Sequence, residues 1–311
     1  MQNEFRFIER LKRLIPRPLQ GRIPIGDDAG VLSAAKNKSL LFTTDVIVEG
    51  VDFKTGIGGA NPEAIGHKAL AVNLSDIAAM GGKPSAFVVA WGIPKRFSQD
   101  WVERVARGMV RLARQFNVQW VGGDLSRSQR FFISIALLGE QDPKKIIRRS
   151  QALPGDFIYV TGSLGGSILG KHLHFIPRLT EGQYLAKNFS PASMIDVSDG
   201  FIQDLGHLLA ASRVGAKIDL ECVPVSGASR RKARGREKKA LEFALTDGED
   251  FELLFTVSQA RGRKLEKNWR RRFPRIPLTR VGSIVSGRDI EWFMKGKKIR
   301  LWFRKKGFTH F

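Results

Sequence analysis

The chain has 311 residues, 42% hydrophobic and 26% charged, which excludes a disordered chain and allows one large or two ordinary domains with a sizeable core. A single cysteine, Cys222, excludes an intramolecular disulfide and a cysteine-based metal cluster. The net charge is +22, and from Gly227 onward 24 Lys and Arg face 9 Asp and Glu, so the last third carries 15 of those 22 charges. Such a surface favours polyanions. The clusters Arg230–Lys239, Arg261–Arg275 and Lys295–Lys306 nevertheless lack the interleaved aromatics of a single-strand-binding groove and read as surface solvation. No run approaches ~18 apolar residues, and the N-terminus has no apolar h-region, so neither a membrane span nor a secretory signal is expected. A cytoplasmic protein is the expectation.

Taken in order, residues 3–15 put Phe5, Ile8, Leu11 and Leu14 on one stripe and predict an amphipathic helix. GRIPIGDDAGVLS reads as a loop entering a strand, and Ser39–Val48 as a strand with Asp45 near its end. Pro62 opens a helix that contains Gly66–Gly82, GHKALAVNLSDIAAMGG, almost wholly small and apolar yet bearing Asp76. Ala86–Ile93 predicts a buried strand and Trp101–Phe116 a helix. Val118–Val121 and Phe131–Leu138 predict strands flanking GGDLSR. Asp142–Gly155, charged and bounded by proline, reads as a linker. Asp156–Thr161, Ala192–Val197, Ala216–Leu220, Glu252–Val257 and Thr279–Ile284 then predict strands, with a helix over Phe201–Ala211. Both halves repeat strand, Gly/Asp turn and helix, so two related α/β domains are expected.

Acids recur in small, Gly-rich settings. Gly26-Asp27-Asp28, Thr43-Thr44-Asp45, Asp76, Gly122-Gly123-Asp124 and Asp196-Val197-Ser198-Asp199-Gly200 each carry a carboxylate at a strand end or turn. Each alone is explained by turn chemistry, and Asp76 alone by a satisfied core acid. Five such motifs on so basic a chain fit oxygen ligands for hard divalent cations, Mg²⁺ above all. Gly165–Lys171 nearly matches a phosphate loop, but His172 stands where the metal-liganding hydroxyl belongs. A tight turn into a helix N-terminus, able to bind an anion through backbone N–H groups, is the alternative. Asp250 and Glu252, two apart before an apolar strand, share a face that is either a solvated edge or substrate-facing. The five histidines stand near no Ser or Cys motif, so no nucleophile triad is expected; His67 reads as packing and Cys222 as a packed thiol.

In order, IGDDAGVL, TTDVIVEGVDF, GHKALAVNLSDIAAMGGKP, VGGDLSR, RRSQALPGD, VTGSLG, IDVSDGFIQDLGHLL, GAKIDL and LTDGEDFELLFTV span nearly the whole chain. With the terminal GFTHF, this series resembles the thiamine-monophosphate kinase family of the aminoimidazole-ribotide-synthetase-like superfamily. The resemblance implies a two-domain α/β (α+β) fold. Residues 1–140 would form an N-terminal mixed sheet with helices that binds metal and ATP and dimerises. Residues 141–311 would form a C-terminal α/β domain completing the substrate site. It implies ATP-dependent phosphorylation of thiamine monophosphate to thiamine diphosphate in a homodimer. Asp28, Thr43, Thr44, Asp45, Asp76, Asp124, Asp196 and Asp199 match its metal positions. Gly123, Asp124, Arg149 and Ser198 match nucleotide contacts, and Glu249 a substrate contact. Several Mg²⁺ ions would neutralise charge between two phosphates, and the substrate's own phosphate oxygen would be the nucleophile, so no catalytic side chain is required.

Four positions depart from the family pattern. Asp52 stands where His is usual, Leu125 where Thr is usual, and Asp247 replaces a common Gly. The aromatic expected before the terminal Lys-Gly-aromatic is Lys305 here, with Trp302 three residues earlier. The metal and ATP half is intact and the acceptor half altered. Asp52 as a counter-charge, or Trp302 through a cation–π contact, suits a cationic thiazolium, and Lys305 borders the same slot. Two other readings stand beside this one: a related ATP-dependent enzyme with a drifted acceptor, and a basic nucleic-acid-binding protein on a degenerate enzyme scaffold. The intact acids argue against the second.

Overall fold

The structure, a computed structural model, describes residues 26–34, 38–305 and 307–308. The helix expected over 3–15 and the last residues of GFTHF lie outside these. The first sheet has five strands: β1 (Gly30–Ala34), β2 (Lys38–Val48), β3 (Lys83–Ile93), β4 (Gln119–Arg127) and β5 (Phe132–Gln141). They run in the order β1-β2-β5-β3-β4, antiparallel throughout except for the parallel pair β3–β4. Two helices, α1 (Pro62–Ala79) and α2 (Gln99–Phe116), join its strands. GGDLSR lies inside β4 instead of in a loop between strands. Six of those residues are exposed, because β4 is an edge strand with its glycines placed for close approach: a Cβ on Gly123 would lie 2.0 Å from the Val89 carbonyl.

The second sheet has seven strands. They are β6 (Phe157–Thr161), β7 (Ser193–Asp196), β8 (Gly215–Asp219), β9 (Leu253–Val257), β10 (Leu278–Val285), β11 (Ile290–Met294) and β12 (Lys297–Ile299). Their order is β12-β11-β8-β10-β6-β9-β7, with β11–β8 the one parallel pair. Around it lie α3 (Lys171–His174), α4 (Leu179–Asn188), α5 (Phe201–Ser212), α6 (Gly227–Lys232), α7 (Glu237–Thr246) and α8 (Gln259–Arg272). The last strands and helices carry so many Lys and Arg that their periodicity is masked; α8 buries only Gly262, Leu265 and Trp269.

Helix α1 is buried on nearly every side, which its small apolar residues permit. Asn61 caps its start, accepting the Glu63 N–H at 3.0 Å, and Pro62 occupies its first turn. It touches α2 through glycines on both sides: a Cβ on Gly66 would lie 1.9 Å from the Val105 carbonyl, and one on Gly108 1.9 Å from that of Glu63. The core around α1 also takes in Phe175, Leu179, Leu185 and Trp269 from beyond residue 141, so the two sheets are joined by apolar packing. A second core, with Ile158, Val197, Leu205, Ile218 and Leu254, lies within the seven-stranded half.

Candidate active site

A cleft of about 390 Å³ opens where α1 meets the end of β7 and the turn before β9. Carboxylate oxygens of Asp28, Asp76 and Asp196 all lie within 4.8 Å of one another; Asp76 and Asp196 line the cleft, and Asp28 is buried beside them. Each comes from a different element: the loop before β1, helix α1, and the last residue of β7. Neutral donors hold them. Thr43 donates its hydroxyl to Asp76, and Ser75 donates to Asp196 at 2.5 Å. Asn73, one turn before, accepts the Asp45 N–H at 3.1 Å and so ties β2 to α1. Arg149 donates to both oxygens of Asp28, at 2.9 and 3.2 Å, and its own N–H meets Asp27 at 2.8 Å.

Such crowding is electrostatically costly. Burial lifts the Asp196 carboxyl to about 8, with the charge of Asp28 adding to it. Burial lifts Asp45 to about 6 against a hydrogen bond with Asp76 that lowers it. Asp76 is pushed well above its ordinary range, by burial first and then by Asp45, Asp196 and Asp28. Oxygen donors so close together and so short of positive charge fit a hard divalent cation.

Alternation along β2 divides the other expected ligands. Thr43 and Asp45 face α1, whereas Thr44 is exposed on the opposite face. Asp124, in register with Ala90 on β3 and through it with Ser134 and Val46, shares that outer face. The single chain therefore does not bring the Thr44 and Asp124 side chains to the trio, nor does Gly123 line the cleft. Ser198 and Asp199 do line it. Asp199 groups with Asp204 and His207 within 4.8 Å, and Asp204 accepts the N–H groups of Asp199 and Gly200 at 3.1 and 3.0 Å. Asp204, which sets the IDVSDG turn, escaped sequence reasoning because it reads as an ordinary first-turn helix acid.

The far end of the cleft carries Asp52, Lys68, Lys232, Asp247, Glu249, Lys305 and Phe308. Asp52 accepts the Val48 N–H at 2.7 Å, closing the turn after β2. Glu249 is paired with Lys68 and lies 3.2 Å from His172 Nδ1; burial raises its carboxyl, but these partners prevail and hold it low. Lys232 meets Asp247 at 2.7 Å. Trp302 does not line the cleft: it packs outside, under Lys238 Nζ at 5.9 Å from its ring. Phe308 takes the aromatic place, with its N–H on the Asp199 carbonyl at 2.9 Å and its carbonyl held by Gln203 at 2.8 Å.

Three other expectations change. The Gly165 and Gly166 N–H groups, the anion-binding candidates, donate to the protein's own Asp250 (2.7 Å) and Asp247 (3.1 Å), so that turn is already filled. Asp250 and Glu252 are neither a solvated edge nor cleft-facing. Both are buried, and Glu252 takes Arg178 at 2.7 and 2.8 Å, Lys171 at 2.9 Å and the Thr161 hydroxyl at 2.8 Å. Cys222 is exposed instead of packed. His67 does pack, its Nε2 2.7 Å from the Phe175 carbonyl. Lys68 and His172 were missed; a lysine in an apolar helix gave a signal, but its side-chain partners are over 100 positions away.

Two mixed sheets meeting at an acid-floored cleft define an AIR-synthase-related α/β protein, and residues 26–141 match the family described as AIR synthase related protein, N-terminal domain. The chain is 39% identical to thiamine-monophosphate kinase of Rhodopirellula baltica, over 88% of this chain and 86% of that one. It is 34% identical to thiamine-monophosphate kinase of Escherichia coli K12, over 99% and 98%. It is similar in structure to AaThiL complexed with AMPPCP and TMP, at TM-score 0.84 and 30% identity, covering 99% of this chain and 97% of that one. The chain belongs to the thiamine-monophosphate kinase family.

Proposed function

We propose that the protein transfers the terminal phosphoryl group of ATP to the phosphate of thiamine monophosphate, yielding thiamine diphosphate and ADP. The observation that carries this reading is a single cleft in which Asp76 and Asp196, grouped with the buried Asp28, share the lining with Asp52, Glu249 and Phe308. An oxygen of the acceptor phosphate attacks the γ-phosphorus in line, and the bond to the bridging oxygen of ADP breaks. That oxygen is already ionised near neutral pH, so no protein base and no phosphoenzyme are needed. Asp28, Asp45, Asp76, Asp196 and Asp199, with the Thr43 hydroxyl, would hold Mg²⁺, whose charge would screen the two phosphates and the transferring group. Arg149 and Ser198 serve the nucleotide. At the acceptor end Lys68 and Lys232 are paired with Glu249 and Asp247, while among the described residues no cation pairs with Asp52. Asp52 therefore suits a cationic thiazolium, and Lys305 and Phe308 border it.

The functional unit is a homodimer in the cytoplasm. Residues 1–140 carry most of the metal set and 141–311 complete the acceptor end. The outer face of the first sheet supports a dimer, since Phe42, Val46 and Val88 stand 44%, 53% and 41% exposed there. A second copy on this face is the route by which Gly123, Asp124 and Thr44 join nucleotide and metal. The test is to incubate the purified protein with ATP, Mg²⁺ and thiamine monophosphate. Thiamine diphosphate and stoichiometric ADP are expected, with no such turnover on unphosphorylated thiamine and no stable phosphoprotein from ATP alone. No product from thiamine monophosphate overturns the assignment of the acceptor.

A further inference from the structure

Helix α1 lines the cleft with Lys68, Val72 and Asp76, spaced four apart and so on one face. Asp76 stands at the metal end. Lys68, two turns earlier, stands about 12 Å away along the axis, at the acceptor end. Its side chain is only 1% exposed, an expensive place for an ammonium group. Two of its donors are committed, one to the Asp52 carbonyl at 2.7 Å and one to the Glu249 carboxylate, and His172 Nδ1, 3.1 Å from the ammonium nitrogen, donates to that same carboxylate. These partners belong to three separate segments: the turn after β2, helix α3, and the turn before β9.

The last of these turns needs such an anchor. Glu249 and Phe251 both adopt left-handed backbone, at φ 64° and 49°, which non-glycine residues hold only when their surroundings enforce it. The Glu249 N–H meets the Ser198 carbonyl at 2.6 Å, and the Phe251 N–H meets that of Val197 at 2.7 Å. The Phe251 ring stacks on Phe175 at 4.1 Å. Those contacts fix the backbone. The carboxylate itself is aimed by Lys68 and His172.

We propose that Lys68 is a positioning residue for the acceptor. It clamps the turn carrying Asp52 and the turn carrying Glu249 to the same helix that carries Asp76, so acceptor contacts and metal ligands share one rigid ruler. The proposal rests on the thiamine-phosphate reading of the cleft. Lys68 sets affinity and aim for the acceptor more than for the nucleotide, whose Ser198 meets the same turn only through a backbone hydrogen bond.

The experiment compares the full-length wild type with Lys68→Met, which keeps length and loses the charge, and Lys68→Arg, which keeps charge and donors. In Lys68→Met the KM for thiamine monophosphate should rise about tenfold or more, the loss of one charge-assisted hydrogen bond, with the KM for ATP unchanged within about twofold. Lys68→Arg should recover part of that loss. Without any ligand, amide hydrogen exchange over residues 49–53 and 248–251 should quicken in Lys68→Met while that of β5 does not change. A folded Lys68→Met with unaltered acceptor KM, or equal rises in both KM values, overturns the proposal. Should wild type fail to phosphorylate thiamine monophosphate, the reaction assignment falls, and the exchange measurement alone decides the clamp. Unchanged exchange in both turns then overturns it.

Discussion

Asp76 occupies the most crowded position in the cleft, with Asp45, Asp196 and Asp28 all raising its proton affinity. Asp76→Asn removes a metal-facing oxygen charge and should lower kcat by about 10³-fold or more, measured as ADP release with thiamine monophosphate. The same change relieves repulsion, so the metal-free variant should melt no lower than wild type at pH 8. A kcat within tenfold of wild type would remove Asp76 from the chemistry. The cluster also sets a pH dependence. Asp45 and Asp196 titrate near 6 and 8 in the fold against an ordinary 3.8, so the folded chain holds protons that the unfolded chain has released. The contribution of these two groups to the stability of the metal-free protein is therefore full below about pH 4 and is lost as pH rises through about 6 and then about 8. Mg²⁺ should raise the melting temperature more at pH 8 than at pH 5, because at the lower pH it must displace those protons. Equal Mg²⁺ effects at both would contradict this account.

Helix α1 sets the tolerance of its neighbours. Gly66→Ala would force a methyl against the Val105 carbonyl and should cost about 1–3 kcal/mol, read by urea unfolding. A cost under about 0.5 kcal/mol would mean the two helices can part freely. In the second half, Glu252→Ala strands Arg178 and Lys171 around a buried void and should cost about 3 kcal/mol by the same measurement, without the cleft losing a lining residue. These two elements also mark how far the sequence could be read. Strands β2, β3 and β5 and helix α2 were legible from their apolar spacing, and α1 from its Pro62 start and its unbroken run of small apolar residues, whereas the exposed edge strand β4 was legible only at its start. The family resemblance carried the acid set, of which Asp28, Asp76 and Asp196 lie together in the fold. Thr44 and Asp124 did not follow, since strand alternation turns them to the other face. Phe308 lines the cleft and Trp302 does not, a difference that nothing local to either residue announces. Lys68 needed partners from three distant segments, which no local pattern records.

Two sheets joined by one apolar core make the chain a single mechanical unit. A chain cut after Gln141 would leave α1 without Phe175, Leu179 and Trp269, so residues 1–141 alone should show no cooperative thermal unfolding by calorimetry. A sharp transition from residues 1–141 alone would show that the halves are independent. If the proposed dimer forms on the outer face of the first sheet, Val46→Glu with Val88→Glu should leave only monomer in light scattering, since like charges would then line an apolar surface. The long separation between partners also sets a clock. Ser75 and Asp196, like Arg149 and Asp28, lie 121 positions apart in the chain. A ribosome adding about 5–20 residues per second would take roughly 6–24 s to deliver the later member of each pair. Throughout that interval the growing polypeptide displays α1 with Ser75 unmatched and the apolar flank that Phe175 and Leu179 cover still open.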